Sequence, residues 1–427
     1  MVMNTKKIIE LIKCGDLDQK FIDIYVDTDQ LEYQKKRYID TISKFEEHYG
    51  AGEVQIFSAP GRSEIGGNHT DHQHGKVLAC AINRDAIGVV KQADGEIRLI
   101  SDGSEEYVVD VADLAMKEEE KGTTLSLIRG VLAGFKERNY KIGGFRAYIT
   151  SDVLIGSGVS SSAAFETLIG SILSGLYNEM SISSTEIAII GQYAENVYFG
   201  KPCGLMDQMA CSTGSLVYID FKNPKAPVVE RIPFDMESYG YSLCITDTKG
   251  SHADLTDEYA AVPEEMKRVA RCFGKEVLVD VSFEELLTNM GEVRDKTSDR
   301  CVLRALHFLA ENKRVEKEVN ALKEGNLTDF FVNVKASGDS SYKYLQNVYS
   351  VKDVHHQNVS LALAISETVL ADNGVCRVHG GGFAGTIQAF VKNDSVKDYQ
   401  GYMNQIYGDD ACSVFKIRNY GGISVIL

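Results

Sequence analysis

An arginine, Arg62, follows the Ala59-Pro60-Gly61 turn, and Asn68-His69-Thr70-Asp71 comes soon after it. A guanidinium supplies a forked set of donors and a carboxylate a pair of acceptors, so this stretch can hold a polar ligand. A turn followed by a solvated loop suits the same spacing. A second stretch, Leu154-Ile-Gly-Ser-Gly-Val-Ser-Ser-Ser-Ala163, is entered by a strand and left by a helix. Gly156 and Gly158 let the backbone approach a ligand closely. The helix start adds unpaired N–H groups and a positive dipole end. With Ser160, Ser161 and Ser162 there, this is a phosphate cradle in which a hydroxyl can ligate Mg²⁺. No Gly-Lys-Ser or Gly-Lys-Thr follows, so it is not a P-loop. A serine cap on a glycine turn is the plainer alternative.

The third stretch, His379-Gly-Gly-Gly-Phe-Ala-Gly385, lies between two strands. Its glycines imply close backbone approach, to another loop or to a ligand. Cys203-Gly-Leu-Met-Asp-Gln208 sets Asp207 among apolar residues, just past a helix that carries Glu195. A carboxylate so placed can have its pKa moved and act as a base. An Asp near a Gly is also ordinary turn chemistry. His69, His72 and His74 invite a zinc reading, but no thiol or second carboxylate cluster completes the site.

These groups must be positioned by the elements around them. Residues 54–58 alternate as a strand that turns at Pro60-Gly61. Residues 86–91, 96–101, 107–111 and 144–151 read as further strands, with Asp94-Gly95 as a hairpin between two of them. Phe165, Leu168, Ile169, Ile172, Leu173 and Leu176 form one helical stripe. The next helix opens with a Ser183-x-x-Glu186 capping box. It buries Ile187, Ile190, Ala194 and Val197, with Glu195 beside that face. Strands recur at 216–220 and 241–246. Helices follow at 264–273, 302–324, 327–336 and 356–373, the last ended by Gly374. Strands 375–378 and 386–391 flank the third glycine loop. This mixture, without a regular βαβ period, argues for an α+β architecture in two lobes. The boundaries read as a helical extension over 1–50, an N-terminal lobe over 51–230 and a C-terminal lobe over 231–427.

The chain has 427 residues and a net charge of −16. That balance repels nucleic acid and anionic lipid but leaves room for a local anion site. Residues 1–7 lack the apolar core of a secretory signal, and no run of about 18 apolar residues occurs. Nine scattered cysteines without C-x-x-C spacing read as reduced thiols, so a cytoplasmic protein is expected. A monomer is expected, though no feature of the sequence gives the oligomeric state.

Taken together, the motifs resemble the GHMP small-molecule kinases, and within them the galactokinases. Ala-Pro-Gly-Arg62 with His-Thr-Asp71 resembles the sugar-binding signature, and Gly-Ser-Gly-Val-Ser-Ser-Ser-Ala163 the phosphate loop. Cys-Gly-Leu-Met-Asp-Gln208 is nearly the family's own string. Thr256-Asp-Glu-Tyr259, Gly274-Lys-Glu276 and Gly380 to Gly385 fit its later motifs. The resemblance covers about residue 52 to the C-terminus. It implies a two-lobed GHMP kinase fold, with a ribosomal protein S5 domain 2-like N-terminal lobe and a ferredoxin-like C-terminal lobe. It implies ATP and Mg²⁺ as co-substrate and metal, and a small sugar as acceptor. Asp207 would take the proton of the sugar's C1 hydroxyl, and Arg62 would keep Asp207 ionised. Ser162 and Glu195 would ligate Mg²⁺. Gly156, Ser157, Gly158, Val159, Ser160 and Ser161 would cradle the triphosphate, with Ser101 near the nucleotide. His69, Asp71, Gly204 and Tyr259 would meet the sugar hydroxyls.

Several positions depart from the family pattern. Asn68 stands where the signature has a Glu that accepts from the sugar's 6-hydroxyl. Asp71-His72 and Gln73-His74 replace Asp-Tyr and Asn-Asp. Galacturonic acid kinases share the loss of that Glu and the Asp-His-Gln run. Asn68 would then face C6 as a neutral group that tolerates a carboxylate. Thr124 replaces an aromatic near the adenine, and Pro263 would set Tyr259 on a separate turn. The expected activity is ATP-dependent phosphorylation of galactose at C1. The alternatives are galacturonic acid or another galacto-configured sugar as substrate, and a non-catalytic sugar and ATP sensor.

Overall fold

The structure, a computed structural model, describes residues 2–153, 158–250 and 255–426. The chain forms two compact units, each made of separate segments. The first comprises Met1–Arg62, Cys80–Ser215 and Ile417–Leu427, and the second Ser63–Ala79 and Leu216–Lys416.

In the first unit the strands run in the order Met3–Asn4, Glu53–Gly66, Lys76–Ala93, Gly144–Ser151, Glu96–Ser101, Glu106–Asp110, with Ile423–Ser424 also on Glu53–Gly66. One sheet face packs Leu99, Phe145, Ala147 and Ile149 against Ile128, Leu168, Ile172 and Ile190 of the helices Thr124–Glu137, Ser161–Tyr177 and Ser184–Tyr193. The other face packs Ile56, Val89 and Tyr148 against Ile8, Phe21, Ile42 and Phe45 of the N-terminal helices. The first 50 residues therefore cover one side of the sheet. They are also pinned through buried Asp85, which accepts from Arg37 at 2.7 Å, Tyr25 at 2.9 Å and Arg418 at 2.9 Å. Burial would raise this carboxyl, but Arg37 and Arg418 hold it below the ordinary range.

Several local expectations are corrected. Pro60-Gly61 makes no turn; it lies inside the strand Glu53–Gly66. A Cβ on Gly61 would sit 2.7 Å from the Val159 carbonyl, so the glycine serves close strand–loop packing. Asp94-Gly95 makes no hairpin between its flanking strands, because Gly144–Ser151 inserts between them, antiparallel to one and parallel to the other. Half of the capping box forms: Ser183 accepts from the Glu186 N–H, while the Glu186 side chain faces Arg138 at 3.3 Å. Val197 is 43 % exposed, because the helix widens to a π-helix over Ala194–Phe199 and Tyr198 turns inward instead.

In the second unit four antiparallel strands run in the order Gly374–His379, Thr386–Lys392, Tyr241–Asp247, Cys412–Phe415. The helices Asn358–Leu370 and Val396–Tyr407 pack on them through Val359, Ala362, Tyr399 and Met403. A second cluster joins the helices Thr256–Cys272 and Asp299–Lys323 through Val262, Met266, Cys301 and Phe308. Gly374 opens a strand rather than ending a helix. A Cβ there would lie 2.3 Å from the Phe390 carbonyl across the ladder. Pro263 sits inside the single helix Thr256–Cys272, so Tyr259 is on that helix and not on a separate turn. Its carbonyl is the one that the missing Pro263 N–H would have met. Among the described residues no helix is long and apolar enough to cross a membrane.

Candidate active site

The strand Glu53–Gly66 delivers Arg62 against the start of the helix Met206–Thr213. Arg62 Nε donates to Asp207 Oδ1 at 2.8 Å and Nη2 to Oδ2 at 2.7 Å. Its third nitrogen, Nη1, donates to the Gly158 carbonyl at 2.8 Å. One guanidinium thus fixes the carboxylate and the phosphate-type loop together, as only its planar fork allows. Burial would raise the Asp207 carboxyl; Arg62 and Ser160 more than offset this and hold it below the ordinary carboxylate range. Ser160 has a left-handed backbone (φ 61) and does not cap the helix it precedes. Its hydroxyl donates to Asp207 Oδ2 instead. Gly204 lies in the short loop before the helix Met206–Thr213, next to Cys203, whose backbone N–H donates to Asn196 at 2.7 Å.

Beside this pair lies a buried acidic cluster. The π-turn directs Glu195 inward, where Ser162 Oγ donates to its Oε1 at 3.1 Å. Lys201 Nζ pairs with the same oxygen at 3.2 Å. The other oxygen accepts from Gln208 at 2.8 Å and from the Cys203 thiol at 3.4 Å. Gln208 also donates to Glu166 Oε2 at 3.1 Å. Burial and the charge of Glu195 push the Glu166 carboxyl well up. A hydroxyl and a carboxylate oxygen are hard donors of the kind Mg²⁺ takes alongside water and phosphate. An ammonium already rests on that carboxylate, so the residues present fit a cation. Among the described residues no group of three His, Cys, Asp or Glu could hold a metal by itself.

In the second unit the glycine loop serves the Asn68-to-Asp71 stretch and Tyr259 as a row of acceptors. Gly380 O accepts from Asn68 at 2.7 Å, Gly381 O from His69 Nε2 at 3.0 Å and Gly382 O from Tyr259 at 2.8 Å. The loop therefore approaches other segments of the chain closely. Burial, then His72, lowers His69 to about 4, so it stands neutral. Burial pushes Tyr259 up to about 12. Asp71 opens a short turn, and its carboxylate accepts from the His72 N–H at 2.9 Å.

Asn68 is wholly buried. Its NH₂ donates to Glu64 at 3.1 Å and to Gly380 O, while its oxygen accepts from Asn347 at 2.8 Å and Ser341 at 3.2 Å. That fills the amide's donors and acceptors. Glu64 in turn pairs with buried Arg377.

The galactokinase galactose-binding signature matches residues 43–92, and the GHMP kinase N-terminal domain matches residues 126–215. A galactokinase of Glaesserella parasuis is 32 % identical over 358 residues, which span 83 % of this chain and 90 % of that protein. This chain belongs to the galactokinase family. A galactokinase of Streptomyces coelicolor is 31 % identical over 356 residues, 82 % of this chain and 87 % of the relative. Among solved structures, Lactococcus lactis galactokinase complexed with galactose superposes with a TM-score of 0.76 at 24 % identity, covering 90 % of this chain and 98 % of its own. Methanococcus jannaschii mevalonate kinase gives 0.60 at 16 % identity, with 86 % and 99 % covered. The α+β kinase fold is that of the GHMP superfamily, and the chain is an enzyme of kinase type.

The galactokinase-family motifs therefore converge unevenly. Arg62, Gly158, Val159, Ser160, Ser162, Glu195, Gly204 and Asp207 all lie in the first unit, and Ser161 begins its helix. Gly156 and Ser157 lie outside the described residues. Ser101 ends a strand in register with Ile149, two residues before the Ser151 end of the neighbouring strand. His69, Asp71 and Tyr259 belong to the second unit. Reading the sequence did not single out Glu166, Lys201 or Gln208. Glu166 stands one helical turn after Ser162, which is a usable signal; Lys201 has none.

Proposed function

We propose that the chain phosphorylates galactose at its C1 hydroxyl at the expense of ATP. The observation that carries this reading is Asp207, gripped on both oxygens by Arg62 and kept ionised. An ionised carboxylate accepts a hydrogen bond from the C1 hydroxyl and orients its oxygen. As that oxygen bonds to the γ-phosphorus, the bond from phosphorus to the ADP oxygen breaks and the proton passes to Asp207. Galactose 1-phosphate and ADP leave. The low proton affinity of Asp207 suits this order, since the hydroxyl gives up its proton only as the phosphorus bond forms. Residues 156–162 would cradle the triphosphate, and Ser162 and Glu195 would hold Mg²⁺. When bound, Mg²⁺ neutralises phosphate charge. Arg62 adds fixed positive charge without reorganisation. His69, Asp71, Gly204 and Tyr259 would meet the sugar hydroxyls.

The experiment is ADP release with Mg-ATP against galactose, galacturonic acid, glucose, arabinose and N-acetylgalactosamine. Turnover on galactose, well above the others, is expected. Preference for galacturonic acid would replace the substrate and keep the chemistry. Sugar binding without turnover on any member would make the chain a sensor.

A further inference from the structure

Lys201 has no assigned part in this chemistry, yet it is tied to Glu195 twice. Its backbone N–H donates to the Glu195 carbonyl at 3.1 Å, where Gly200 (φ 84) closes the π-turn. Its ammonium then pairs with Glu195 Oε1 at 3.2 Å, the oxygen that Ser162 also donates to at 3.1 Å. The two ends of the pair differ sharply: the Lys201 side chain is 64 % exposed and that of Glu195 is 3 % exposed. A buried carboxylate with Glu166 close by needs a cation. A lysine supplies one on a flexible stem that can leave again. The other Glu195 oxygen is held by Gln208 and Cys203, so Oε1 is the atom that exchanges partners.

We propose that Lys201 is a nucleotide-phosphate ligand held in reserve. Without nucleotide its ammonium neutralises Glu195, beside Ser162 at the start of the helix Ser161–Tyr177. When a nucleoside triphosphate binds, the ammonium moves from Glu195 to the phosphates and frees Glu195 Oε1 and Ser162 Oγ, the atoms that would hold the nucleotide's metal. Lys201 then binds phosphate oxygen as a point charge, while Arg62 stays committed to Asp207. The inference rests on the kinase reading above.

The test is equilibrium binding by calorimetry, with ATP in excess EDTA, with ATP and Mn²⁺ together and, separately, with Mn²⁺ alone. The variants are Lys201→Met, Lys201→Arg and Glu195→Gln. Lys201→Met should weaken metal-free ATP about ten-fold, the scale of one charged contact, and Lys201→Arg should largely restore it. Glu195→Gln should move metal-free ATP the other way, because the ammonium is no longer held. Mn²⁺ alone should bind Lys201→Met more tightly than the parent and Glu195→Gln more weakly. Metal-free ATP affinity within two-fold in both Lys201→Met and Glu195→Gln would overturn the proposal and leave the kinase reading standing. A parent that binds no ATP with or without metal would overturn both.

Discussion

Glu166 and Glu195 share one hydrogen-bond donor, the Gln208 side-chain amide, at 3.1 and 2.8 Å. Two buried carboxyls this close do not both ionise cheaply. Burial, then the charge of Glu195, raises the Glu166 carboxyl well above its ordinary range. Gln208 thereby orients the oxygen pair from behind. Gln208→Met removes the amide with little change in volume. It should raise the Mg²⁺ requirement of ADP release by about 10–100-fold, the usual cost of losing a group that orients a metal ligand. Metal-free ATP binding should stay near the parent value. An unchanged Mg²⁺ requirement would refute the orienting role.

Asp207→Asn keeps the shape of the side chain and removes its capacity to take a proton. Turnover should fall by about 10²–10⁴-fold, the range for a lost general base. ATP affinity should stay within a few-fold, since Asp207 does not belong to the phosphate cradle. Turnover within a few-fold of the parent would remove Asp207 from the base role.

Much of the site was legible because its chemistry is written in short strings. Arg62, Ser162, Glu195 and Asp207 each fall in a local pattern whose residues also meet in space. The failures share one cause, which is partners far away in the chain. Asp94-Gly95 has sound turn chemistry, but a strand from residue 144 onwards takes the place of its hairpin partner. Nothing near Asn68 in sequence reveals its partners Gly380, Ser341 and Asn347. Pro263 was read as a break, whereas packing of Val262 and Met266 carries the helix past one lost hydrogen bond.

The burial of Asn68 changes what its replacement should do. A substitution to Glu would remove both donors, to Glu64 and to Gly380 O, and set a second carboxylate against Glu64. Breaking a buried charged network in this way costs about 3–5 kcal/mol. Asn68→Glu should therefore lower unfolding stability in urea and reduce turnover on every sugar tested. A stable variant that loses galacturonic acid turnover and gains galactose turnover would instead place Asn68 against the substrate.

Glu318, in the second unit, is buried with no hydrogen-bond partner on either carboxyl oxygen among the described residues. It occupies the space a side chain would take at Gly66, its Oε2 lying 1.8 Å from where a Cβ there would be. Burial, then the charge of Glu311, raises this carboxyl well above the ordinary value; Arg377 and Arg314 offset only part of it. The folded state thus holds a proton that the unfolded chain releases near the normal glutamate pKa, about 4.3. Stability from this group is complete below that value and is lost as pH rises toward the folded pKa. Glu318→Gln has no proton to lose. The difference in melting temperature between Glu318→Gln and the parent should therefore grow in favour of the variant from pH 5 to pH 8. A difference that stays flat over that interval would show that Glu318 is ionised in the folded protein.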